Sequence, residues 1–392
     1  MSMPIDAQTL SGDVLSKENS SIMSNGKEIH RYNGTNTVVI VPDSINKILT
    51  WAFKNNAQLT HVYIQGAVEI ESGAFTGCIS LESVVSSEAI TKIGYNAFKG
   101  CTSLKNFDFN EGITEISSSV FEGCTALERV QLPADVKVIK DSAFSGCSSL
   151  LSVDLPKGLA EIGDGAFYQC VNLADITIPD SVKKIGLFAF ANCNALKSLH
   201  IPNSVEKLGK FADNMDSLEV LSLPGCIKKL SSGFMPTSKA LKLINLGSGI
   251  ESIDKNVFWG NKNLCAVIIP PSVKKIAPDA FATLQGIKNF KPTLSARIFA
   301  SKKVGEVKTQ LQDVIAMLSD ENADDIKEYM ETYGCSSPAE LLKNQDFIRE
   351  FNSQIFEGLT IFGAPGSAAE KYAAENGLSF EDMNTLGNRL NS

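Results

Sequence analysis

The feature that most constrains this chain is a phrase of the form Ala-Phe-x-x-Cys-x-x-Leu, which recurs every 23 residues. A period of about 20–29 residues is typical of a solenoid, in which each turn buries its apolar side by stacking on the next turn. The six clearest copies begin with Phe75, Cys78 and Leu81 and continue at each 23rd residue as far as Phe190, Cys193 and Leu196.

The residues between these anchors predict the path of one turn. Ile176 and Ile178 alternate with polar residues, as in a short half-buried strand. Pro179 then ends the strand, because proline has no N–H to donate to a ladder. A second short extended piece covers 182–185, and a tight helical or 3₁₀ turn follows, with Phe190 filling the interior.

Counting the anchors gives about eleven turns within residues 22–290. The fold class predicted from this count is a solenoid of stacked parallel β-strands with short turns or 3₁₀ segments. The period shrinks by one residue, and the Cys is lost, between residues 209 and 238. We therefore expect a local irregularity there.

The composition excludes some function classes. A net charge of −8 and a pI near 5.2 argue against nucleic-acid binding, which requires clustered Lys and Arg. No stretch approaches the roughly 18 consecutive apolar residues of a membrane span. Residues 1–21 are polar, have no apolar core of a signal peptide, and are expected to be disordered. This favours a cytoplasmic location, with the cell surface or secretion left open if the leader has been removed or export follows another route.

The cysteines are expected to be structural. Six of the nine occupy one repeat position, where stacked side chains run parallel at about 4.8 Å, too far apart at Cβ for a disulfide. The sequence has no Cys-x-x-Cys pair, and His61 and His200 fall several turns apart. We therefore predict a buried thiol ladder, with no metal, no cofactor and no catalytic constellation.

The repeated phrase, in the fuller form L-x-x-I-x-I-P…V-x-x-I-G-x-x-A-F-x-x-C, resembles the units of the BspA-like leucine-rich repeat family. The resemblance covers roughly residues 30–290. Residues 32–42 are similar to the opening segment of that family and residues 359–373 to its closing segment. Ser367 and Glu370 there form a predicted capping box of a helix. The resemblance implies a binding scaffold, with adhesion-type or host-facing interactions.

The repeat rhythm stops between residues 291 and 356, where helical periodicity replaces it. This helical insertion precedes a closing segment, 357–392, with a capping helix. One interpretation is an elaborated cap over the end of the stack. The other is a separate interaction module.

Side chains that alternate with the buried strand positions should form two outward columns on the strand face. The columns are polar and partly acidic through most turns and become apolar at one end, which could bind a partner or receive the inserted helices. The candidate binding face consists of Arg129, Gln131, Ser152, Asp154, Asp175, Thr177, Ser198, His200, Val220, Leu243 and Ile268.

The sequence thus predicts a non-enzymatic, monomeric binding scaffold that recognises a protein ligand, or else a glycan, through this strand face. The alternative is an effector or enzyme-like module in residues 291–356, with the repeats as a targeting scaffold.

Overall fold

The chain forms two compact units, residues 1–216 and 217–392. The structure, a computed structural model, describes the following residues: 13–14, 22–24, 26–87, 90–258, 261, 266–277, 280, 297–298, 360–363, 365–375 and 379–382.

The first unit is built of short strands, most of them paired in parallel. In chain order they are β1 (Asp13–Val14), β2 (Ile22–Ser24), β3 (Glu28–Tyr32), β4 (Val38–Val41), β5 (Lys47–Ile48), β6 (His61–Ile64), β7 (Val68–Ile70), β8 (Ser83–Ser86), β9 (Ile90–Ile93), β10 (Asn106–Asp108), β11 (Glu115–Ile116), β12 (Arg129–Gln131), β13 (Val138–Ile139), β14 (Ser152–Val153), β15 (Glu161–Ile162), β16 (Lys184–Ile185), β17 (Ser198–His200) and β18 (Lys207–Leu208).

These strands form two series, because each turn contributes a first strand and a second strand. The first strands pair in the orders β1-β4-β6-β8 and β10-β12-β14, and the second strands in the orders β2-β3-β5-β7-β9 and β11-β13-β15-β16-β18. Arg129 pairs with Asn106 on one side and Ser152 on the other, so the register advances by one repeat. Among the described pairs, β2 and β3 alone are antiparallel.

The second unit continues the same plan. Its strands are β19 (Val220–Ser222), β20 (Lys229–Leu230), β21 (Leu243–Asn245), β22 (Ser252–Ile253), β23 (Ala266–Ile268), β24 (Lys275–Ile276), β25 (Arg297–Ile298), β26 (Thr360–Gly363) and β27 (Ser379–Asp382), with the helix α1 (Ala368–Glu375) between the last two. The strand orders are β20-β22-β24 and β19-β21-β23-β25-β26-β27.

The predicted fold class is confirmed: the chain is a parallel-strand β-solenoid of about ten turns, in which the helical cap is one short helix. Phe281 and Ile287, the anchors of an expected eleventh turn, lie outside the described residues.

Proline residues end the first strand of many turns, as the sequence predicts. β12 stops one residue before Leu132, and Pro133 follows. The Pro133 carbonyl then accepts a hydrogen bond from the Val136 amide at 3.2 Å, which closes a turn toward the second strand. The carbonyls of Pro156 and Pro179 accept equivalent bonds, so proline both stops the ladder and directs the chain around the corner.

The third side of each repeat is a pair of overlapping tight turns. In one copy, the amide of Ser145 bonds to the carbonyl of Ser142, and the amide of Cys147 bonds to that of Phe144. The amides of Ser142 and Phe144 donate to the next turn, so the turn backbones also form a ladder. Ser142 (φ 55°) and Gly146 (φ 73°) are left-handed, which makes these segments successive turns and not a helix.

Stacked phenylalanine rings form the centre of the first unit. From Phe53 to Phe190, neighbouring rings of the repeated Phe lie 4.8–5.7 Å apart between centroids and within 14° of parallel. All seven are essentially inaccessible to solvent. Since a single turn cannot bury its own ring, each Phe is covered by the turns before and after it.

The six repeated cysteines form the thiol ladder predicted from the sequence. All are free and buried. Each thiol donates to the carbonyl oxygen of the Phe in the preceding repeat, as in the 3.1 Å bond from Cys124 Sγ to the Phe98 oxygen. Burial raises the pKa of the Cys78 and Cys193 thiols to about 12 and holds that of the other four well above the ordinary value of a thiol.

The same column holds Ser238 and Asn261 in the second unit, and both are buried. Asn261 Oδ1 accepts the Ser238 amide at 2.9 Å, and Ser238 Oγ donates to the Leu218 carbonyl at 2.9 Å. A polar pair therefore replaces the thiols where the sequence loses its Cys.

The ends of the chain depart in part from the sequence interpretation. Asp13 and Val14, within the segment expected to be disordered, pair with Val39 and Ile40. This corrects the prediction at these two positions, because the open edge of β4 offers backbone groups that any chain can satisfy. The rest of 1–21 lies outside the described residues.

The closing helix has the predicted N-terminus. Ser367 Oγ accepts the Glu370 amide at 3.3 Å, and Glu370 Oε2 accepts the Gly366 amide at 2.5 Å. Within 291–356, the described residues are those of β25, which extends a strand ladder by pairing with β23 and β26. The predicted helices of that insertion lie outside the described residues.

The buried thiols lead to a labelling prediction. At pH 8 a thiol of pKa about 12 is thiolate in about one molecule in 10⁴, and the thiolate is the reactive form. We expect iodoacetamide to alkylate Cys226, which is half-buried, well before any of the six ladder cysteines. Peptide mass spectrometry with and without urea measures this. Alkylation of a ladder cysteine as fast as Cys226 in the native protein contradicts the ladder.

The ring stack leads to a stability prediction. Phe144→Ala should lower the free energy of unfolding by about 3–5 kcal/mol, because it leaves a cavity between two fixed rings. Tyr95→Ala is the control, since Tyr95 is 60% exposed and should change stability by less than about 0.5 kcal/mol. Urea unfolding followed by circular dichroism compares the two. Equal losses would count against the stack as the central core.

Candidate functional site

The first-strand series of the first unit carries the two columns predicted from the sequence. Asn106, Arg129 and Ser152 are register partners on consecutive strands, and Ser152 forms a parallel bridge with Asp175. The intervening positions point inward: Val130 and Val153 are buried and paired with each other. The period-two alternation of the sequence therefore gives the correct outward residues here.

The polar members of these columns are open to solvent across four turns. Every one is exposed: Arg129, Gln131, Ser152, Asp154, Asp175, Thr177, Ser198 and His200. Within the described residues, the charged groups of Arg129, Asp154 and Asp175 form no ion pair with one another or with other side chains. The face therefore keeps its charges available to a ligand.

The apolar end of the predicted face differs from expectation. In the second unit, Val220 pairs with Leu243, and Asn245 pairs with Ile268. Leu243 is 2% exposed and Ile268 7% exposed, and Val220 is half-buried. As members of the candidate binding face, Leu243 and Ile268 are corrected, since they are not open to a partner. The alternative interpretation, in which this end receives another part of the chain, agrees with their burial. Alternation along a strand predicts which side a residue faces but not whether the chain covers that side.

The second-strand series presents a different surface, on which opposite charges on neighbouring turns pair. Lys184 Nζ lies 2.6 Å from Glu161 Oε1, its register partner, and Lys47 Nζ lies 3.3 Å from Glu69 Oε2. The hydrogen bond that the Lys184 ammonium donates to Glu161 raises the pKa of Lys184. Glu69, Glu115 and Glu161 are each paired with a lysine of a neighbouring turn, whereas Lys207, the register partner of Lys184, forms no ion pair among the described residues. Such exposed pairs add little stability.

The turn side of the first unit contains a groove that the sequence analysis missed. Its volume is about 520 Å³, within the range of about 300–1,000 Å³ that ligand pockets occupy. Four successive turns line it: Ser142, Ser145, Asp164, Gly165, Tyr168, Leu187, Phe188, Ala191, Asn192, Asp213 and Asn214.

The groove lies beside a shortened turn. The amides of Phe188 and Phe190, two residues apart, bond to the carbonyls of Lys210 and Phe211, which are adjacent in sequence. One residue is therefore missing from this turn relative to its neighbour. The one-residue shortening predicted between 209 and 238 falls at this point.

Phe188 has an unusual backbone for its side chain. It is left-handed (φ 54°) and its ring is 42% exposed. Other turns place Gly73, Asn96 or Ser142 at this left-handed position. A bulky residue there is strained by about 1–2 kcal/mol. The signal in the sequence was the residue before Ala-Phe, which is small or polar in most copies but aromatic at 188.

Two further observations bear on the kind of site. The described residues contain no group of three His, Cys, Asp or Glu side chains placed to hold a metal ion. In the same part of the chain, no helix combines the length and apolar character that a membrane crossing requires.

Comparison with known families identifies the repeat. The model of the BspA type leucine rich repeat region matches two overlapping stretches, residues 68–197 and 160–288, with six copies. The chain is a BspA-type leucine-rich repeat protein. The family is a non-enzymatic scaffold class. BspA-type repeats thus account for both the ring stack and the thiol ladder.

Comparison with solved structures found similar leucine-rich repeat chains, the first of which shares this fold. A leucine-rich repeat protein from Bacteroides ovatus is 24% identical, with a TM-score of 0.54 over 72% of this chain and 73% of that one. A leucine-rich cell surface protein from Faecalibacterium prausnitzii is 24% identical over 77% of this chain and 98% of that one, with a TM-score of 0.40. The pneumococcal vaccine antigen PcpA is 20% identical over 68% and 80%, with a TM-score of 0.39. No curated protein sequence matches the BspA-type chain.

The strained Phe188 allows a test of why the residue is there. Phe188→Asn should leave the free energy of unfolding within about 1 kcal/mol of the wild type, because relief of left-handed strain offsets the lost burial of half a ring. Asn96 shows that asparagine fits this position. Urea unfolding measures the change. A loss above about 2 kcal/mol would instead identify Phe188 as a packing residue.

Proposed function

We propose that this BspA-type protein is a binding scaffold that captures a protein ligand through the first-strand face of its first unit. The observation that carries the proposal is the contrast between the two strand faces. The carboxylates of Glu69 and Glu161 on the second-strand face are paired with lysines across turns, whereas Arg129, Asp154 and Asp175 are exposed without ion pairs among the described residues. Unpaired charges on consecutive turns are suited to a partner surface of complementary charge.

The polar columns also indicate the character of the partner. Asp154 and Asp175 occupy two consecutive turns at the middle of the face, with Arg129 on the preceding turn. Asp175 is the register partner of Ser152, so Asp154 and Asp175 lie in different columns as diagonal neighbours, about 7–8 Å apart. Two Lys or Arg side chains of a partner can each pair with one of these carboxylates. A protein with a basic patch fits this face best. The backbone hydrogen-bonding groups of the strands are already paired between turns, so recognition of the partner depends on side chains.

The proposal extends the family assignment in two respects. Adhesion-type or host-facing interaction is a use that the family resemblance supports, and the strand face supplies a surface for it. A monomer is the expected form, since one chain carries the complete set of columns. A glycan is a weaker fit to this face, because its described exposed columns contain no aromatic ring between residues 106 and 200.

The face can be tested with a charge reversal. Asp154→Lys, Asp175→Lys and Thr177→Lys together should weaken binding of a captured protein at least about 100-fold, because like charges then meet the basic patch. The full chain and the triple variant are immobilised side by side, and proteins retained by the full chain alone are identified. One such protein is purified, and its affinity for both forms is measured by calorimetry.

A charge swap on the other face provides the matched control. Glu161→Lys with Lys184→Glu preserves their ion pair and the net charge, so it should bind the purified partner as the wild type does. Circular dichroism checks that all forms are folded. Equal capture by wild type and triple variant, or loss of binding in the swap alone, would rule out the first-strand face as the binding surface.

A further inference from the structure

The groove on the turn side is separate from the strand face and is not explained by the needs of the fold. Phe188 contributes little to the core, because its ring is 42% exposed while Phe190, two residues later, is fully buried in the ring stack. Its left-handed backbone is unfavourable for an aromatic residue. A strained residue that exposes an apolar ring in a groove points to a ligand.

The groove offers an aromatic surface surrounded by hydrogen-bonding side chains. Phe188 and Tyr168 supply rings, and Ser142, Ser145 and Asn192 supply hydroxyl and amide groups. Aromatic faces bind the C–H face of a ring-shaped ligand, while polar side chains fix its orientation.

Backbone groups of the groove are already committed. The backbone N–H of Ser142 donates to the Asp164 carbonyl, and that of Gly165 donates to the Leu187 carbonyl. The backbone N–H of Asn192 donates to the Asp213 carbonyl. A peptide that binds by adding backbone hydrogen bonds therefore finds few free partners here. A ligand rich in hydroxyl groups, which pairs with side chains, fits the groove better.

The charges of the groove disfavour an anionic ligand. Lys210 Nζ lies 3.2 Å from Asp213 Oδ2 and 5.8 Å from the centre of the Phe188 ring, so it is held by both neighbours. Asp164 accepts the Leu187 amide through Oδ1, and its carboxylate is otherwise exposed at the groove. The paired lysine leaves Asp164 as the excess charge. An anionic ligand would be repelled by it.

We propose that this groove binds a neutral carbohydrate, with one sugar ring stacked on Phe188 and its hydroxyl groups hydrogen-bonded to Asp164 and Asn192. The site lies on the turn side of the first unit, so it acts independently of the protein-binding strand face. The chain thus has two recognition surfaces of different chemistry.

The test uses residues that other turns of this chain carry at the same positions. Phe188→Asn copies Asn96, and Asn192→Gly copies Gly146, so both variants retain left-handed turns. Saturation-transfer NMR on the full chain uses four neutral probes: maltotriose, cellotriose, mannotriose and diacetylchitobiose. At least one should give signals from its ring protons. Phe188→Asn should weaken that probe at least about tenfold, and Asn192→Gly should weaken it several-fold.

Trp51→Asn is the matched control, because Trp51 is also an exposed, left-handed aromatic residue at the equivalent position but lies outside the groove. It should leave probe binding unchanged, as should the triple lysine variant of the strand face. The proposal is overturned if none of the four probes binds, or if binding survives Phe188→Asn. It is also overturned if 3′-sialyllactose or a tryptophan-containing tripeptide binds the groove and the neutral sugars do not.

Discussion

The structure depends on one constraint: no turn has a core of its own. A turn supplies one Phe ring, one thiol and a few aliphatic side chains, and these are buried by contact with identical groups above and below. The rings therefore have to stay in line, and the strand registers advance by a whole repeat from turn to turn. The columns on the outside are a consequence, because anything at a given repeat position is brought next to its equivalent on the adjoining turns.

This alignment explains why the two strand faces differ in character. On the second-strand face, a Lys on one turn meets a Glu on its neighbour, and such contacts repeat along the unit. On the first-strand face, Arg129 is followed by a serine and not by an acid. The same register thus brings acids next to lysines on one surface and leaves Arg129, Asp154 and Asp175 without ion pairs on the other. The two faces differ because the sequence places opposite charges on neighbouring turns in one set of columns and not in the other.

The repeat phrase was sufficient to predict the solenoid, the inward Phe, the thiol ladder and the outward side of the strands, because each follows from periodicity alone. It could not decide between an open and a covered surface at Leu243 and Ile268, because their burial depends on what else covers the sheet, a property that a strand pattern does not contain. It also missed the groove at Phe188, since the left-handed conformation arises from the turn and a one-residue shortening. The strand face could be located from sequence, whereas the groove required the coordinates.

The left-handed positions have a consequence for how such a chain can change in length. Within the regular turns, the two corner residues, such as Ser142 and Gly146, recur at fixed places, so each turn meets the same surface on either side. A complete unit could be duplicated or lost there, and its neighbours would join without adjustment. The groove has no such freedom, because it requires one short turn beside one aromatic corner. The number of repeats can therefore vary in most of this solenoid, whereas the turns next to Phe188 have to keep their present order.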